Sequence, residues 1–217
     1  VANGLRFKKG DRVVTTIQEH HSNYVVWQRA RERYGIDLQV VMSDKQGHFD
    51  LSDFEAAIDT KTRLVSITHT SNVLGVKTPV KGVAKIAHDH GALVAVDGAQ
   101  SVPHTKVDVL DLGCDFLAFS GHKMCGPTGA GCLYIKESLQ GEVEPLCVGG
   151  GTIEDVSLDH YRLRKGPYKY EAGTPAIAES IGLGAAVDYL NSIGMQWISD
   201  HEHARQFHFL GHVHHFF

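Results

Sequence analysis

The sequence predicts an α/β protein with one large, mostly parallel β-sheet covered by helices on both faces. Two observations lead to this prediction. Short apolar runs alternate with helical patterns along the chain, and continuous apolar runs are typical of parallel strands that are buried on both sides. The 217 residues are 42% hydrophobic and 21% charged, a composition typical of a globular domain with a substantial core.

The first half of the chain predicts three strands that alternate with three helices. The strands are 12–17, 37–42 and 63–68, and the helices are 22–35, 52–59 and 78–91. Gly35 is predicted to end the first helix. Ser52 and Glu55 have the spacing of a capping box at the start of the second. Thr78 is the predicted N-cap of the third helix, with Pro79 at its first position and Gly91 past its end.

The second half predicts three further strands, 92–97, 116–119 and 132–136, and a long helix over 176–194. Between them, residues 149–175 show little periodicity and are rich in Gly, Lys, Arg and Tyr. A long irregular segment inside a compact domain is usually functional. We therefore interpret this segment as a functional excursion and not as a domain boundary.

Composition narrows the classes of partner. The net charge of −4 gives no indication of binding to nucleic acid or to an anionic membrane. No apolar run approaches the ~20 residues of a membrane span, and the first residues look like the middle of a domain and not like a secretory leader. The four cysteines have no CxxC spacing, which favours reduced thiols in a cytoplasmic protein. No metal site is predicted.

Polar side chains follow four of the predicted strands. The segments are QEHHSN after 12–17, HTSNVLG after 63–68, DGAQS at the end of 92–97, and SGHK after 116–119. Ligands of open parallel sheets bind beyond the carboxyl ends of the strands, so these groups are expected to share one edge. A solvated charge is not expected at the end of a buried strand. We interpret Lys123 instead as an amine that forms a Schiff base.

This set of side chains suits pyridoxal 5'-phosphate (PLP). Asp97 can pair with the protonated ring nitrogen, Gln100 can donate to the phenolic oxygen, and Lys123 can form the imine. Further contacts are predicted for ring stacking, for the phosphate, and for the ring oxygen or a substrate carboxylate. His20 is predicted to stack on the ring, Ser120 and His122 to bind the phosphate, and Asn72 to contact the ring oxygen or a substrate carboxylate.

Each of these residues also has an ordinary structural interpretation. An aspartate after a strand is often a helix cap, and two adjacent histidines are often part of a polar loop. The combination favours the cofactor, because independent caps would not supply the complete set of groups that one cofactor needs. The glycine turn is not a nucleotide-phosphate loop, because Lys123 precedes the glycines and no Lys-Ser/Thr ending follows them.

Six motifs in order resemble the aminotransferase class V family, and most closely its SufS-type (group II) cysteine desulfurases and selenocysteine lyases. The motifs are EHHSNYVVWQ, HTSNVLGV, VDGAQS, FSGHKMCGPTGAG, GGGTIEDVSL and YEAGTPA. The resemblance implies the large domain of PLP fold type I over residues 1–204. It implies the same roles for the residues named above, with PLP on Lys123. It also implies a homodimer in which Thr174 reaches the phosphate of the neighbouring subunit.

The implied reaction converts L-cysteine or L-selenocysteine to L-alanine, with Lys123 taking the α-proton. In desulfurases, a cysteine thiolate from a later loop becomes a persulfide, which passes sulfur to an acceptor protein for iron–sulfur cluster assembly. Two alternatives stay open. The chain could be another class V lyase, such as a kynureninase-like enzyme, or a non-catalytic fragment that binds PLP.

Parts of the family pattern are missing from the 217 residues. These are the threonine-containing phosphate turn, the smaller C-terminal domain, the persulfide cysteine and the arginine that binds the substrate carboxylate. We therefore expect these residues by themselves to turn over little cysteine. Cys125 is interpreted as structural, and the His- and Phe-rich residues 205–217 as an atypical chain end and not as a metal site.

Overall fold

The structure, a computed structural model, describes residues 1–213, with side chains described through Arg205. Its central sheet has six strands: β1 (Arg12–Thr16), β2 (Asp37–Val41), β3 (Thr62–Thr68), β4 (Leu93–Asp97), β5 (Phe116–Ser120) and β6 (Gly131–Ile135). They lie in the order β2-β1-β3-β4-β5-β6. Strands β1 to β5 are parallel and β6 runs antiparallel to β5. The predicted mostly parallel sheet is confirmed.

Neighbouring residues of the same strand belong to two separate clusters of buried side chains. In β1, Val13 lies in one cluster and Val14 in the other, and in β3 Leu64 and Val65 divide in the same way. All four side chains are fully buried. Because successive side chains of a strand point to opposite faces, the sheet is covered on both faces. This two-sided burial is the physical reason for the continuous apolar runs in the sequence.

The described residues form six helices: α1 (His21–Tyr34), α2 (Leu51–Ala57), α3 (Val80–Asp89), α4 (Val109–Leu112), α5 (Ile177–Ile193) and α6 (Met195–Val213). Helices α1, α2 and α3 pack on the strands of the sheet. Gly35 ends α1 in the left-handed conformation, with φ of 69°, as predicted. The four-residue helix α4 was not predicted, because one turn is too short to show a helical period.

Two predicted helix starts are wrong. Asp50, not Ser52, is the N-cap of α2, since its Oδ1 accepts from the backbone N–H of Ser52 at 2.9 Å. Helix α3 begins at Val80, after Pro79, and Thr78 does not cap it. The backbone N–H of Thr78 donates to the carbonyl oxygen of His69 at 3.0 Å. This bond holds Thr78 in an extended segment beside the end of β3.

The excursion at 149–175 contains a small antiparallel hairpin of its own. Strands β7 (Ile153–Val156) and β8 (Tyr161–Leu163) form a separate two-stranded sheet, followed by a 3₁₀ turn over Gly166–Tyr170. Within residues 1–213, no helix is long and apolar enough to cross a membrane. The first part of the predicted atypical chain end, 205–213, is helical because it forms the end of α6. The backbone of 214–217 and the side chains of 206–217 lie outside the described residues.

Candidate cofactor site

A cleft of about 810 Å³ extends from the carboxyl ends of β4 and β5 along the sheet as far as Phe116 and Ile135. Its volume is in the range of small-molecule sites, roughly 300–1,000 Å³. Residues at the ends of β4 and β5 and at the start of α1 line it. Five predicted site residues meet there: His20, Asp97, Ser120, His122 and Lys123. The fold therefore brings together residues that are up to about a hundred positions apart in the chain, as the positions at strand ends predicted.

The other three predicted site residues do not line this cleft. Asn72 and Thr174 are exposed, and Gln100 is half-buried in the turn that follows β4. Asn72 lies in the turn after β3, and Thr174 lies between the excursion hairpin and α5. Their proposed contacts with cofactor or substrate stay predictions.

Tight packing of glycines fixes the backbone that carries Lys123. Residues Gly121–Lys123 form a 3₁₀ turn directly after β5, and the backbone N–H of Gly126 donates to the carbonyl oxygen of Gly121 at 2.9 Å. A Cβ atom at Gly126 would lie 2.8 Å from that oxygen, and one at Gly131 would lie 2.8 Å from the carbonyl oxygen of Phe119. Real Cβ atoms do not approach so closely, so the turn requires glycine at both positions.

The amine of Lys123 is available in the cleft. The residue is half-buried, and among residues with described side chains its Nζ has no hydrogen-bond or ion-pair partner. Ser120 and His122 of the same SGHK segment also line the cleft. In the described part of the chain, no carboxylate therefore competes with a ligand for this amine, which is the group that forms a Schiff base.

Asp97 presents one oxygen to the cleft. It ends β4, where it pairs with Thr68 of β3 in the parallel ladder, and its carbonyl oxygen accepts from the N–H of His69 at 2.9 Å. Its Oδ1 accepts from the N–H of Ala99 at 2.9 Å. No donor in the described part of the chain reaches Oδ2. Asp97 is therefore held in place while one carboxylate oxygen stays available to a ligand.

His20 has two functions in the structure. It is the N-cap of α1, and its Nδ1 accepts from the backbone N–H of Ser22 at 3.2 Å. Nδ1 also lies 2.7 Å from Oγ of Ser22. These contacts fix the orientation of an exposed ring that lines the cleft. A flat, fixed ring at the edge of the cleft is suited to stacking on an aromatic ligand.

Glu19 is a buried carboxyl group that the sequence analysis did not identify as part of the site. Its residue is 9% exposed. Oε1 accepts from Oγ1 of Thr16 at 2.6 Å and from the N–H of Thr68 at 2.9 Å, and Oε2 accepts from Nδ2 of Asn23 at 2.6 Å. Burial raises the pKa of Glu19 from 4.5 to about 7, the nearby charge of Asp97 adds to the rise, and the three hydrogen bonds oppose it.

Two further polar residues connect Glu19 to the cleft. Oδ1 of Asn23 accepts from Oγ of Ser66 at 2.8 Å, and both residues line the cleft beside Asp97. A signal for this network was present in the sequence. Glu19 and Asn23 are four residues apart at a predicted helix start, and Ser66 interrupts an otherwise apolar buried strand.

The raised pKa of Glu19 predicts a specific pH dependence of stability. Between pH 4.5 and about 7, the unfolded chain releases the Glu19 proton and the folded chain keeps it. Rising pH therefore lowers the free energy of unfolding through this group. We expect Glu19→Gln to remove that loss, so that variant and wild type diverge by about 3 kcal/mol between pH 4.5 and 8. Denaturant unfolding of both proteins across this range measures the difference, and parallel curves would contradict the assignment.

The cysteines do not provide a nucleophile in the cleft. All four are free: Cys114 is buried, and Cys125, Cys132 and Cys147 are exposed. None lines the cleft. Burial raises the pKa of Cys114 to about 11, which disfavours its reactive thiolate form. Cys125 has φ of 63° in the turn after Lys123, and its structural role stays a prediction. Side chains through Arg205 include no group of three or more possible metal ligands.

Comparison with known proteins adds three findings. A family model for aminotransferase class V matches residues 1–215. A protein named "Probable cysteine desulfurase" from Methanothermobacter thermautotrophicus is 54% identical over 202 residues, which are 93% of this chain and 50% of that protein. The apo structure of a cysteine desulfurase from Thermococcus onnurineus NA1 has a TM-score of 0.90 and 48% identity, covering 94% of this chain and 51% of that one.

A more distant solved structure carries a cofactor. It is a C-DES variant with glycine covalently linked to PLP, with a TM-score of 0.81 and 28% identity over 89% of this chain and 52% of that one. The 217-residue chain spans about half the length of the curated relatives it matches.

Proposed function

The chain belongs to the aminotransferase class V family, and we propose that it is the PLP-binding part of a cysteine desulfurase. The proposed reaction takes sulfur from L-cysteine and leaves L-alanine and an enzyme persulfide. The observation that supports this proposal most strongly is the lining of the cleft. The amine of Lys123, a carboxylate oxygen of Asp97 and the ring of His20 meet there at one edge of the sheet.

The residues present fit PLP. The cofactor needs an amine for its aldehyde, an acceptor for its ring N–H and a flat group against its ring. Lys123, Asp97 and His20 are of these three types and line one cleft. The similarity to a solved structure that holds PLP supports the same choice. When bound, PLP supplies an aldehyde that condenses with amines and a protonated ring that withdraws electrons from the substrate.

Each side chain then has a definite task. Lys123 would hold the cofactor covalently, and its Nζ would take the proton from the substrate α-carbon. Asp97 would accept from the ring N–H with its available carboxylate oxygen and would keep that nitrogen protonated. His20 fixes the plane of the ring, because its own orientation is set by the cap of α1.

The phosphate and the substrate need further contacts. We assign the phosphate to Ser120 and His122, which lie at the end of β5 and in the turn that carries Lys123. Gln100 is assigned to the ring oxygen, and Asn72 to the ring oxygen or substrate carboxylate. Thr174 is exposed, and we assign it to the phosphate site of a second subunit in a homodimer.

The wider role follows from the same family. We propose that the protein acts in the cytoplasm, accepts L-selenocysteine as well as L-cysteine, and passes its persulfide sulfur to an acceptor protein for iron–sulfur cluster assembly. The large domain is assigned to residues 1–204.

Isotope exchange tests the proposed function. The purified protein with PLP should exchange the α-hydrogen of L-cysteine with D₂O faster than free PLP does, and L-kynurenine should not be cleaved. Cleavage of L-kynurenine without reaction of L-cysteine would identify a different class V lyase. A folded protein that binds PLP without exchange would be a non-catalytic binding domain.

A further inference from the structure

We propose that Glu19 is a positioning residue of the cofactor site, which ties together the segments that carry His20 and Asp97. This inference rests on the proposed function. Glu19 does not line the cleft, and so it acts only through other residues. Its importance comes from the position of its three hydrogen-bond donors, each of which belongs to a different part of the site.

The donors connect segments that are distant in sequence. Thr16 ends β1, Asn23 is in the first turn of α1, and Thr68 ends β3, 49 residues from Glu19. Thr68 is the ladder partner of Asp97, and Glu19 directly precedes His20. The buried carboxyl group of Glu19 therefore fixes the position of His20, at the start of α1, relative to Asp97, at the end of β4.

A second connection reaches the cleft wall. Asn23 uses Nδ2 to donate to Glu19 and Oδ1 to accept from Ser66. Glu19 therefore orients the amide of Asn23, and loss of Glu19 would leave Nδ2 of Asn23 without this hydrogen-bond partner. It would also leave the N–H of Thr68 without its acceptor in a buried position, which is costly. Removal of Glu19 should therefore loosen Asn23 and Ser66, which line the cleft, together with the segments that carry His20 and Asp97.

Glutamine should substitute well for Glu19. It has the same length and keeps one oxygen for Thr16 and Thr68. Its Nε2 would face Nδ2 of Asn23, but the amide of Asn23 can turn over and accept instead. Oγ of Ser66 then accepts from Nδ2, because a hydroxyl can both donate and accept. The proposal thus requires a hydrogen-bonding side chain of this length and does not require a negative charge.

The test measures PLP binding and the visible circular dichroism of bound PLP in four purified proteins: wild type, Glu19→Ala, Glu19→Gln and the control Glu32→Ala. Glu32 is exposed on α1, the helix that Glu19 directly precedes with His20. We expect Glu19→Ala to weaken PLP binding roughly tenfold and to lose most of the dichroism per bound cofactor. Glu19→Gln should restore both quantities, and Glu32→Ala should leave both unchanged.

The outcomes separate this inference from the proposed function. A wild type that binds no PLP overturns both. A folded Glu19→Ala protein with wild-type affinity and dichroism overturns the positioning role and leaves the proposed function standing. A lower melting temperature with unchanged dichroism also overturns it, because it indicates a purely structural role. If Glu19→Ala does not fold, Thr16→Val decides, since it removes one donor at nearly constant volume; unchanged dichroism there contradicts the proposal.

Discussion

Replacement of Lys123 by alanine is expected to abolish covalent attachment of PLP and to slow α-hydrogen exchange of L-cysteine by roughly 10³- to 10⁴-fold. Lys123 lines the cleft, and no other lysine does so in the part of the chain with described side chains. Its loss removes both the amine that holds the cofactor and the base that takes the proton. Because the glycines of the turn are unchanged, we expect the fold to be retained.

Exchange is measured by mass spectrometry of L-cysteine in D₂O, with PLP at saturating concentration. The matched control is Lys106→Ala, which removes an exposed lysine outside the cleft and should keep wild-type exchange. Exchange at the wild-type rate in the Lys123→Ala protein would show that another group takes the proton. Loss of exchange in the Lys106→Ala protein would show that the assay responds to general damage.

Replacement of Asp97 by asparagine is expected to leave PLP attached to the protein but to slow α-hydrogen exchange by about 10²- to 10³-fold. The amide oxygen of Asn can still accept from the N–H of Ala99, so the turn after β4 should keep its shape. A neutral amide, however, cannot hold the ring nitrogen in its protonated form. The variant therefore separates binding of the cofactor from its function as an electron acceptor.

The measurements are cofactor content after reduction and exchange rate in the same samples. Asp188→Asn is the control, because Asp188 is exposed on α5 and does not line the cleft. Unchanged exchange in Asp97→Asn would remove Asp97 from the ring nitrogen. Complete loss of PLP in this variant would assign Asp97 to binding and not to electron withdrawal.

The strands could be predicted because burial on both faces leaves a strong apolar pattern. Val13 and Val14, and Leu64 and Val65, are neighbours that enter different cores, and such pairs cannot occur in a strand with one wet face. Helix starts were harder to predict. Asp50 captures the N–H of Ser52, and Thr78 is held by the carbonyl of His69. The second contact lies outside the local sequence pattern.

Some residues of the site could be predicted from the sequence, and others could not. The meeting of His20, Asp97 and Lys123 in one cleft could be predicted because each lies at or just after the end of a strand, and parallel strands bring their carboxyl ends to one edge. Glu19 was harder to identify, because its burial depends on Thr68, 49 residues away, and its four-residue spacing from Asn23 is only a weak local signal. The contacts predicted for Thr174 and Asn72 stay predictions, because neither residue lines the cleft.

Reduction with borohydride followed by peptide mapping tests the central claim most directly. The protein is incubated with PLP, reduced, digested and analysed for the lysine that carries the pyridoxyl group. We expect a single major label on Lys123, in the peptide that contains the SGHK segment. A label on Lys106 or Lys136 in its place, or no label above that of the Lys123→Ala protein, would contradict it.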